Sequence, residues 1–392
     1  MADSYILPRK IYMANLKVLM MGGRRCGKTS ALASLFDQMI HGKTNEFLTV
    51  CDNTVLEEKD GEKQDSLLGK RLELEHFISK GKNNTFLADK GPTMNYWTYI
   101  LQLQIPGTDK RMEIEFLDSA GEFFDAGGKH HNETISFVRE CDVFVVIVDT
   151  PYLMAGSKVE AEAANVIDSI HTFLMQIDGQ NGRKAKQVLF VPIKCEKWVK
   201  EGKIDEVVKA IEDNYDATIR DLMASNKTEI SIVPIETAGD IIFAELKEPF
   251  ILFNTTTNKQ VRCAKISERM VMLPDGKHKK IENDEILNDD LEGVFKFGEE
   301  VSDIVRPNAW FHLRHEPKAT YSPHNCEQLP LHIVRFMFNK KKAESWGGII
   351  GDLISFFGGI SAKDMQNALD KLSQANLIKD NGEGIKILKK CF

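Results

Sequence analysis

Cys-x-x-Cys pairs, long apolar runs and a basic stretch followed by a long apolar one near residue 1 are all missing from this sequence. The seven cysteines stand singly, with no Cys-x-x-Cys spacing. They indicate neither a disulfide framework nor a zinc ribbon, and they favour a reducing, cytoplasmic compartment. No run approaches the roughly 18 consecutive apolar residues of a membrane-spanning helix. The first residues have no basic stretch followed by a long apolar one, so we expect neither a signal peptide nor a transmembrane segment.

An excess of positive charge is missing as well. The 58 acidic side chains outnumber the 51 Lys and Arg side chains, and the formal net charge is −7. This balance argues against wholesale binding to nucleic acid or to an anionic membrane surface, and we expect no nucleic-acid partner. Hydrophobic residues make up 42% and charged residues 28% of the 392 residues. That composition is ordinary for a globular protein, and the length suits two or three domains of about 150 residues.

Apolar runs alternate with helical stretches over roughly the first 240 residues. Apolar residues spaced three and four apart indicate a helix after the first run, and longer helical stretches follow at 160–177 and 204–224. Such alternation predicts an α/β fold, a mostly parallel sheet with helices on both faces. Two runs joined by a turn at 106–110 predict one antiparallel hairpin at the sheet edge. The runs predicted as strands are 16–21, 96–105, 112–117, 143–148, 188–193 and 230–235.

A glycine-rich loop with a phosphate-binding spacing follows the first predicted strand. Its glycines let consecutive backbone N–H groups curl round the α- and β-phosphates of a nucleotide, and the start of the next helix adds positive potential. Lys28 can reach the β- and γ-phosphates, and the Thr29 hydroxyl can ligate Mg²⁺. The match to G-x-x-x-x-G-K-[ST] between a strand and a helix predicts a P-loop. The predicted nucleotide-binding residues here are Gly22, Gly23, Arg24, Arg25, Cys26, Gly27, Lys28, Thr29 and Ser30.

A second motif ends the predicted strand at 112–117. Asp118, at the carboxyl end of that strand, can hold Mg²⁺ through water on the side opposite Thr29. Gly121 lets a backbone N–H group approach the γ-phosphate. A D-x-x-G pattern by itself is common, because a strand-ending Asp often forms a turn. After a P-loop and a hairpin, the same pattern indicates a metal site.

With these motifs in this order, residues 15 to about 240 resemble the Ras-like P-loop GTPases of the TRAFAC class. The resemblance implies that Thr93, just before the hairpin, completes the Mg²⁺ shell of Thr29 and Asp118 when a γ-phosphate is present. Thr85 and Thr98 are alternatives for that threonine.

The same resemblance assigns the nucleobase to two later loops. Lys194 would lie along the base, and Glu196 would accept hydrogen bonds from the guanine N1–H and N2–H₂ groups, which adenine lacks. The alanine N–H group of Thr237-Ala238 would meet guanine O6. Ile193 and Glu196 depart from the N/T-K-x-D pattern of the family, which has a polar residue and an aspartate there.

One departure from the family bears on catalysis. Glu122 stands where Ras-like enzymes carry the glutamine that orients the attacking water, so its negative charge near the γ-phosphate predicts slow hydrolysis. His130 and His131 are candidates to take over that role, or they form a solvated pair in a polar loop. Arg24 and Arg25 either reach the phosphates as a built-in arginine finger or point to solvent. The residues implied in catalysis are Lys28, Thr93, Gly121 and Glu122.

The chain is expected to divide into three parts, of which the resemblance covers only the first. Residues 1–245 form the expected GTPase domain, with an insertion at about 42–92 that carries a predicted helix at 67–79. Residues 246–345 are expected to form a C-terminal α+β extension that packs on this domain. Residues 346–392 comprise a glycine-rich linker followed by a small helix and hairpin.

Two features of the C-terminal part complete the prediction. An amphipathic helix is expected at 325–338, and the tail hairpin is expected to turn at Asp380-Asn381-Gly382. The long insertion and C-terminus are similar to those of the bacterial double-GTPases, in which a later helix carries Cys-Glu-Gln. Cys326-Glu327-Gln328 opens such a helix here, or it is an ordinary helix N-terminus where the dipole favours Glu.

The sequence therefore predicts a GTP-binding molecular switch, with Mg²⁺ and GTP or GDP as its ligands and slow GTP hydrolysis. Nucleotide state would order the segments around Thr93 and Gly121 and so control a protein effector or regulator. Two alternatives stay open, a P-loop ATPase and a nucleotide-binding scaffold that does not hydrolyse. Against the ATPase, Ser119 follows Asp118 where many P-loop ATPases carry a glutamate.

Overall fold

The computed structural model describes most of the predicted elements. Within the described residues, no helix is both long and apolar enough to cross a membrane. These residues are 15–23, 26–59, 61–80, 87–88, 96–106, 111–119, 138–181, 186–247, 249–254, 260–267, 270–272, 278–280, 285–287, 294–297, 308–313, 320–345 and 362–391.

Helices and strands alternate through the first two thirds of the chain. The described helices are α1 (Lys28–His41), α2 (Leu67–Lys80), α3 (Thr150–Ala155), α4 (Lys158–Asn165), α5 (Ile167–Asn181), α6 (Glu196–Lys200), α7 (Ile204–Asn214), α8 (Asp216–Ala224), α9 (Gln328–Ser345) and α10 (Ala362–Gln374), with a 3₁₀ turn at Lys43–Glu46. The described strands are β1 (Asn15–Met21), β2 (Thr49–Asp52), β3 (Glu58–Lys59), β4 (Glu62–Lys63), β5 (Leu87–Ala88), β6 (Trp97–Gln104), β7 (Arg111–Asp118), β8 (Val143–Asp149), β9 (Lys186–Ile193), β10 (Thr228–Ile232), β11 (Ile241–Lys247), β12 (Pro249–Asn254), β13 (Gln260–Ser267), β14 (Met270–Met272), β15 (His278–Lys280), β16 (Glu285–Leu287), β17 (Val294–Phe297), β18 (Asn308–Leu313), β19 (Asn381–Gly382) and β20 (Ile385–Lys389).

A nine-stranded sheet forms the framework, in the order β19-β20-β10-β9-β8-β1-β7-β6-β2. Its centre, from β10 to β7, is parallel throughout, which confirms the predicted mostly parallel sheet. β6 pairs with β7 in antiparallel register, with Trp97 opposite Asp118, so the predicted hairpin is confirmed. The pattern did not predict the places of two outer strands, β2 beside β6 and β20 beside β10.

Both faces of this sheet are covered, as the burial of β8 along its whole length shows. Val143, Val145 and Ile147 belong to an apolar core shared with α1 and α9. Phe144 and Val146 belong to a second core on the other face, shared with α5, α7 and α8. Because successive side chains of a strand point to opposite faces, a strand buried on both sides has a continuous apolar sequence.

Two helices expected to be continuous are broken in the structure. The stretch at 160–177 is interrupted at Val166, which adopts a left-handed φ of 47° between α4 and α5. The stretch at 204–224 is interrupted at Tyr215, which is fully buried with its ring centroid 5.1 Å from that of Phe190. Packing between residues distant in the chain has overridden local helix propensity at this second break.

The predicted insertion at 42–92 supplies part of the main sheet and a helix. β2 forms the outermost strand at one edge. α2 begins at Leu67 as predicted and ends at Lys80. It packs against α1, where Arg71 Nε donates to Asp37 Oδ1 at 2.9 Å. These described residues of the insertion are therefore an integral layer of the domain.

Two smaller antiparallel sheets are formed mainly by strands of the C-terminal part, with β5 contributed by the insertion. β5, β18 and β11 form one of them, and β12 to β17 form the other. The predicted glycine-rich linker at 346–360 lies outside the described residues. The helix predicted over 325–338 begins at Gln328 and continues to Ser345.

The predicted turn of the tail hairpin is wrong. β19 pairs with β20 through Asn381 and Gly382, so these residues form a strand. The chain turns at Glu383 and Gly384, which adopt positive φ values of 50° and 76°. A Cβ at Gly384 would lie 2.5 Å from Ile204, so glycine is required there by both conformation and contact.

α9 holds the C-terminal tail against the main sheet through two buried polar side chains, Gln328 and His332, here termed the tail clamp. Gln328 Nε2 donates to Leu377 O at 2.7 Å, and Lys379 N donates to Gln328 Oε1 at 3.0 Å. His332 is fully buried, and its Nε2 lies 2.9 Å from Lys379 O. The tail then continues into β19 and β20, and β20 pairs with β10.

The surroundings of His332 favour its neutral form. Burial lowers the pKa of His332 to about 4, and the Arg335 guanidinium acts in the same direction. Arg335 Nη2 lies 3.2 Å from His332 Nδ1, and Arg335 Nη1 pairs with Asp380. Because a guanidinium only donates, Nδ1 accepts from Arg335 and Nε2–H donates to Lys379 O. A proton on Nδ1 would remove that acceptor.

Acid should weaken the tail clamp. A histidine whose pKa is about 4 in the folded chain and about 6.5 in the unfolded chain contributes stability that is lost as the pH falls between those values, because the unfolded chain then binds more protons. From pH 7 to pH 5 the free energy of unfolding should fall by about 2 kcal/mol from this residue alone. Urea denaturation of the wild type and of His332→Asn at both pH values measures the difference.

The matched control for that measurement is His41→Asn, at the exposed end of α1. If the wild type, His332→Asn and His41→Asn lost equal stability between the two pH values, the histidine of the tail clamp would have no part in the acid sensitivity.

Candidate functional site

The loop between β1 and α1 takes a conformation that only glycine allows at two positions. Gly22 has φ of 146° and Gly27 has φ of 101°. A Cβ at Gly22 would lie 2.8 Å from Ile147 O, and a Cβ at Gly27 would lie 2.7 Å from Ile193 Cδ1. The loop is therefore pressed against the ends of β8 and β9, which agrees with the predicted curl of the backbone.

Lys28 opens α1 and folds its side chain back over this loop. Its Nζ donates to Gly22 O and Gly23 O, at 3.0 Å each, and the residue is only 7% exposed. Gly27 precedes the helix without a side-chain cap, and Ser30 follows in the same turn. The ammonium group and the N-terminus of α1 thus place positive potential at one point, where an anion is favoured.

Thr29 and Asp118 meet at the same edge of the sheet although 89 residues separate them. The Thr29 hydroxyl donates to Asp118 Oδ2. Register explains the meeting, because Asp118 lies beside Met20 in the parallel pair β1–β7. Ser119 Oγ donates to Met20 O at 2.9 Å and secures the chain as it leaves the strand.

The Asp118 carboxyl is almost completely buried. Burial raises its pKa, while the Lys28 ammonium and the Thr29 hydroxyl act against that shift. A hydroxyl and a carboxylate held together beside a lysine supply the oxygen ligands that Mg²⁺ prefers. The residues present therefore fit a magnesium ion.

Lys194 lies where β9 ends, in a left-handed conformation with φ of 56°. Its Nζ donates to Asp149 Oδ2 at 2.7 Å. Asp149, the last residue of β8, is only 2% exposed. Sequence reasoning did not single out Asp149, although a carboxylate directly after a continuous apolar strand was a usable signal.

Glu196 opens α6 and is buried, with 3% of its surface exposed. Its Oε1 accepts from Ala238 N at 3.3 Å. The structure thus brings together two residues that the sequence assigned to separate base-reading loops. Burial raises the pKa of Glu196 to about 7, with a smaller contribution from Glu236, while the backbone N–H groups of Ala238 and Gly239 act against the shift.

The loop that carries Thr237 and Ala238 is tied to the P-loop helix. Ser34 Oγ, on α1, donates to Thr237 O at 2.6 Å. Tyr321 OH donates in turn to Ser34 Oγ at 3.1 Å. A buried serine of the helix that follows the predicted phosphate loop therefore contacts the predicted nucleobase loop.

A further segment, 320–326, lies against the same loop and was not predicted to do so. His324 and Glu236 exchange two backbone hydrogen bonds of 2.9 Å. Cys326 Sγ donates to Glu236 O at 3.3 Å, and Gln38 Nε2 donates to Pro323 O at 2.8 Å. The cysteine of Cys326-Glu327-Gln328 is thus a packing contact behind the loop predicted to bind the base.

Cys26 is also a packing residue. It is 1% exposed, and burial raises the pKa of its thiol, with the Lys28 ammonium acting against that shift. A raised thiol pKa is the opposite of what a reactive thiolate requires.

Several predicted site residues lie outside the described residues, and their roles stay predictions. They are Arg24, Arg25, Thr93, Gly121, Glu122, His130 and His131. The described part of the predicted site comprises Gly22, Gly23, Cys26, Gly27, Lys28, Thr29, Ser30, Asp118, Lys194, Glu196, Thr237 and Ala238.

Comparison with known proteins adds one family match. Residues 74–241 match the family described as Double-GTPase 2. This range includes Asp118, Lys194, Glu196 and Ala238, whereas the P-loop precedes it. No curated protein matches the chain.

Among solved structures, the chain matches the crystal structure of the S. cerevisiae Ski7 GTPase-like domain bound to GTP. The identity is 8%, the match covers 79% of this chain and 77% of that one, and the TM-score is 0.31. A likeness so low adds no argument about function. The match of residues 74–241, together with the mostly parallel sheet and the glycine-rich loop after its first strand, supports a P-loop GTPase-like domain of the double-GTPase type.

Proposed function

We propose that the protein is a guanine-nucleotide switch that binds GTP and GDP with Mg²⁺ and hydrolyses GTP slowly. The observation that carries this proposal is the contact of the Thr29 hydroxyl with Asp118 beside the buried Lys28. Three groups from two distant motifs meet there in the arrangement that a triphosphate and its metal require.

The phosphates would occupy the loop between β1 and α1. Lys28 already bonds the loop carbonyls of Gly22 and Gly23, so its ammonium is held at the centre of the loop. A phosphate would draw hydrogen bonds from that ammonium and from the N–H groups at the start of α1.

The metal would be held by Thr29 and Asp118, with Thr93 as the third ligand that the sequence predicts. Mg²⁺ bound there would neutralise charge on the β- and γ-phosphate oxygens. The protein's own contribution is to keep both oxygen ligands in place. The backbone oxygen of Met20, which accepts from Ser119 Oγ, holds the end of the strand that carries Asp118.

The nucleobase would lie between Lys194 and Glu196, with the Ala238 N–H group beside it. An ionised carboxylate only accepts hydrogen bonds, which suits the two adjacent donors of guanine and opposes the N1 acceptor of adenine. The contact of Glu196 with Ala238 supports this assignment, because it places both groups at one point. The guanine preference separates this proposal from the alternative of a P-loop ATPase.

Hydrolysis is expected to be slow because Glu122 brings a negative charge where the family has a neutral glutamine. The switch would act through Thr93 and Gly121, whose segments would be ordered by the γ-phosphate and so present or withdraw a surface for a protein effector or regulator. A scaffold that binds nucleotide without hydrolysis is the alternative.

We also propose a cytoplasmic location and the division 1–245, 246–345 and 346–392. Six cysteines are free in the described residues, which suits a reducing compartment. β20, from the third part, completes the sheet of the first, so these two parts are expected to fold together.

Replacing Lys28 should abolish nucleotide binding. Lys28→Ala removes a buried ammonium that would bond the phosphates, and the loss of such a charged hydrogen bond should weaken binding of GTP and GDP by about 100-fold or more. Titration calorimetry with Mg²⁺ measures this. Lys203→Ala, which removes an exposed lysine paired with Glu201, is the matched control; equal affinity in both variants would contradict the site.

The affinity for GTP should rise with pH. Glu196 has a pKa of about 7, so its ionised fraction grows about tenfold between pH 6 and pH 8. Only that form accepts both guanine donors. Glu196→Gln should lose most of this rise and most of the preference for GTP over ATP, as competition against a fluorescent guanine nucleotide would show. Glu201→Gln, at the end of α6, is the control. Equal displacement by ATP and GTP in the wild type would remove the guanine assignment.

Hydrolysis should require Asp118 and be limited by Glu122. In single-turnover assays of phosphate release from GTP with Mg²⁺, Asp118→Asn should lower the rate by about 100-fold, because one charged metal ligand is lost. Glu122→Gln should raise the rate, because the charge beside the γ-phosphate is removed. No release from the wild type or from Glu122→Gln would favour the scaffold over the switch.

A further inference from the structure

We propose that Asp149 is a positioning residue for Lys194 and thereby sets the affinity of the site for the guanine base. This inference rests on the proposed function and names a residue that neither the sequence motifs nor the family match assigns. Asp149 would not touch the nucleotide; it would hold the lysine that does.

The Asp149 carboxylate lies at the junction of three strands. β8 pairs with β1 on one side and with β9 on the other, and Asp149 lies beside Ile193 in the second pair. Its Oδ2 accepts from Lys194 Nζ at 2.7 Å. The side chains of Asp149 and Lys194 are 3% and 14% exposed, so water screens this ion pair little.

The backbone of Asp149 is held by a second buried side chain. Asn165 is fully buried at the end of α4, and its Oδ1 accepts from Asp149 N at 2.7 Å. Its Nδ2 donates to Ala161 O at 3.2 Å within the same helix. At its other end, α4 begins with a reciprocal pair of hydrogen bonds between Ser157 and Glu160. Asp149 therefore lies at an end of β8 that the capped helix α4 holds in place.

Lys194 spans the gap between this carboxylate and the P-loop. A Cβ at Gly27 would lie 3.9 Å from Lys194 Cε, so the aliphatic part of the lysine lies close to the residue before α1. The backbone of Lys194 takes a left-handed φ of 56° where the chain leaves β9. The Lys194 side chain is thus constrained at two points. The P-loop limits its aliphatic part, and Asp149 holds its ammonium group.

The methylene groups of a lysine held in this way form an apolar surface that can pack against one face of a purine. Without the Asp149 carboxylate, the Lys194 ammonium would be solvated by water instead. The methylene groups of Lys194 would then have no fixed position. Loss of the contact between Asp149 and Lys194 would weaken binding of GTP and GDP equally, because both carry the same base. It would not change the phosphate contacts of Lys28.

A double-mutant cycle tests this inference. Asp149→Asn, Lys194→Met and the double variant are compared with the wild type by titration with fluorescent GDP and by competition with GTP, in the presence of Mg²⁺. We expect each single change to raise the dissociation constants for GDP and GTP about tenfold. The double variant should match Lys194→Met, because Asp149 has no effect once its lysine is absent.

A matched control lies next to the other end of β8. Asp142 directly precedes the strand and also pairs with a buried lysine, Lys340 Nζ at 2.7 Å, away from the loops of the site. Asp142→Asn should leave guanine-nucleotide affinity unchanged. Loss of affinity in Asp142→Asn equal to that in Asp149→Asn would show a general effect of removing a buried pair, and it would overturn the positioning role.

The remaining outcomes are separable. Unchanged affinity in Asp149→Asn, or effects of Asp149→Asn and Lys194→Met that add in the double variant, would overturn the inference while the proposed function stands. A wild type that binds no guanine nucleotide would overturn the proposed function itself. If Asp149→Asn alone fails to fold, the double variant, which removes both charges, is compared with Lys194→Met, and a further loss of affinity would again contradict the role.

Discussion

Parallel pairing of β7, β1, β8 and β9 is the constraint on which the rest of the structure depends. These strands are buried on both faces, so polar groups can appear only where the chain leaves the sheet. Because the strands run the same way, all of these exits lie at one edge. Lys28, Asp118, Asp149 and Glu196 are brought together for that reason, although they come from four separate stretches of sequence.

Burying charged groups at one edge of the sheet costs desolvation energy, and pairs of opposite charges or hydrogen bonds offset this cost. Asp118 faces Lys28 and the Thr29 hydroxyl, and Asp149 faces Lys194. Backbone N–H groups oppose the burial of Glu196, and its pKa is near neutral. Carboxylates in such surroundings are more typical of a functional site than of a stabilising core, since a buried ion pair adds little to stability.

Local sequence patterns were enough to predict elements whose conformation depends on neighbouring residues. They did not predict features that depend on contacts between residues far apart in the chain. The P-loop conformation and α2 follow from glycine spacing and apolar periodicity, and both were predicted. The break at Tyr215 was not, because the burial of that ring against Phe190 is a tertiary contact. The predicted base loops were chosen by their order after strands. The contact of Glu196 with Ala238 and the position of the segment at 320–326 depend on pairings between residues far apart in the chain. The places of β2 and β20 in the main sheet were not predicted, because each pairs with a strand far away in the chain and local alternation carries no signal for that pairing.

The C-terminal strand also protects the sheet to which it is added. Without β20, the outer side of β10 would present a row of backbone donors and acceptors that another chain could extend. Gln328 and His332, both on α9, hold the residues that lead into β20. α9 therefore helps to keep β20 in the position where it prevents another chain from pairing with β10. A chain cut short before residue 380 would therefore expose a ready template for association, and its solubility would depend on its last few residues more than their distance from the P-loop suggests.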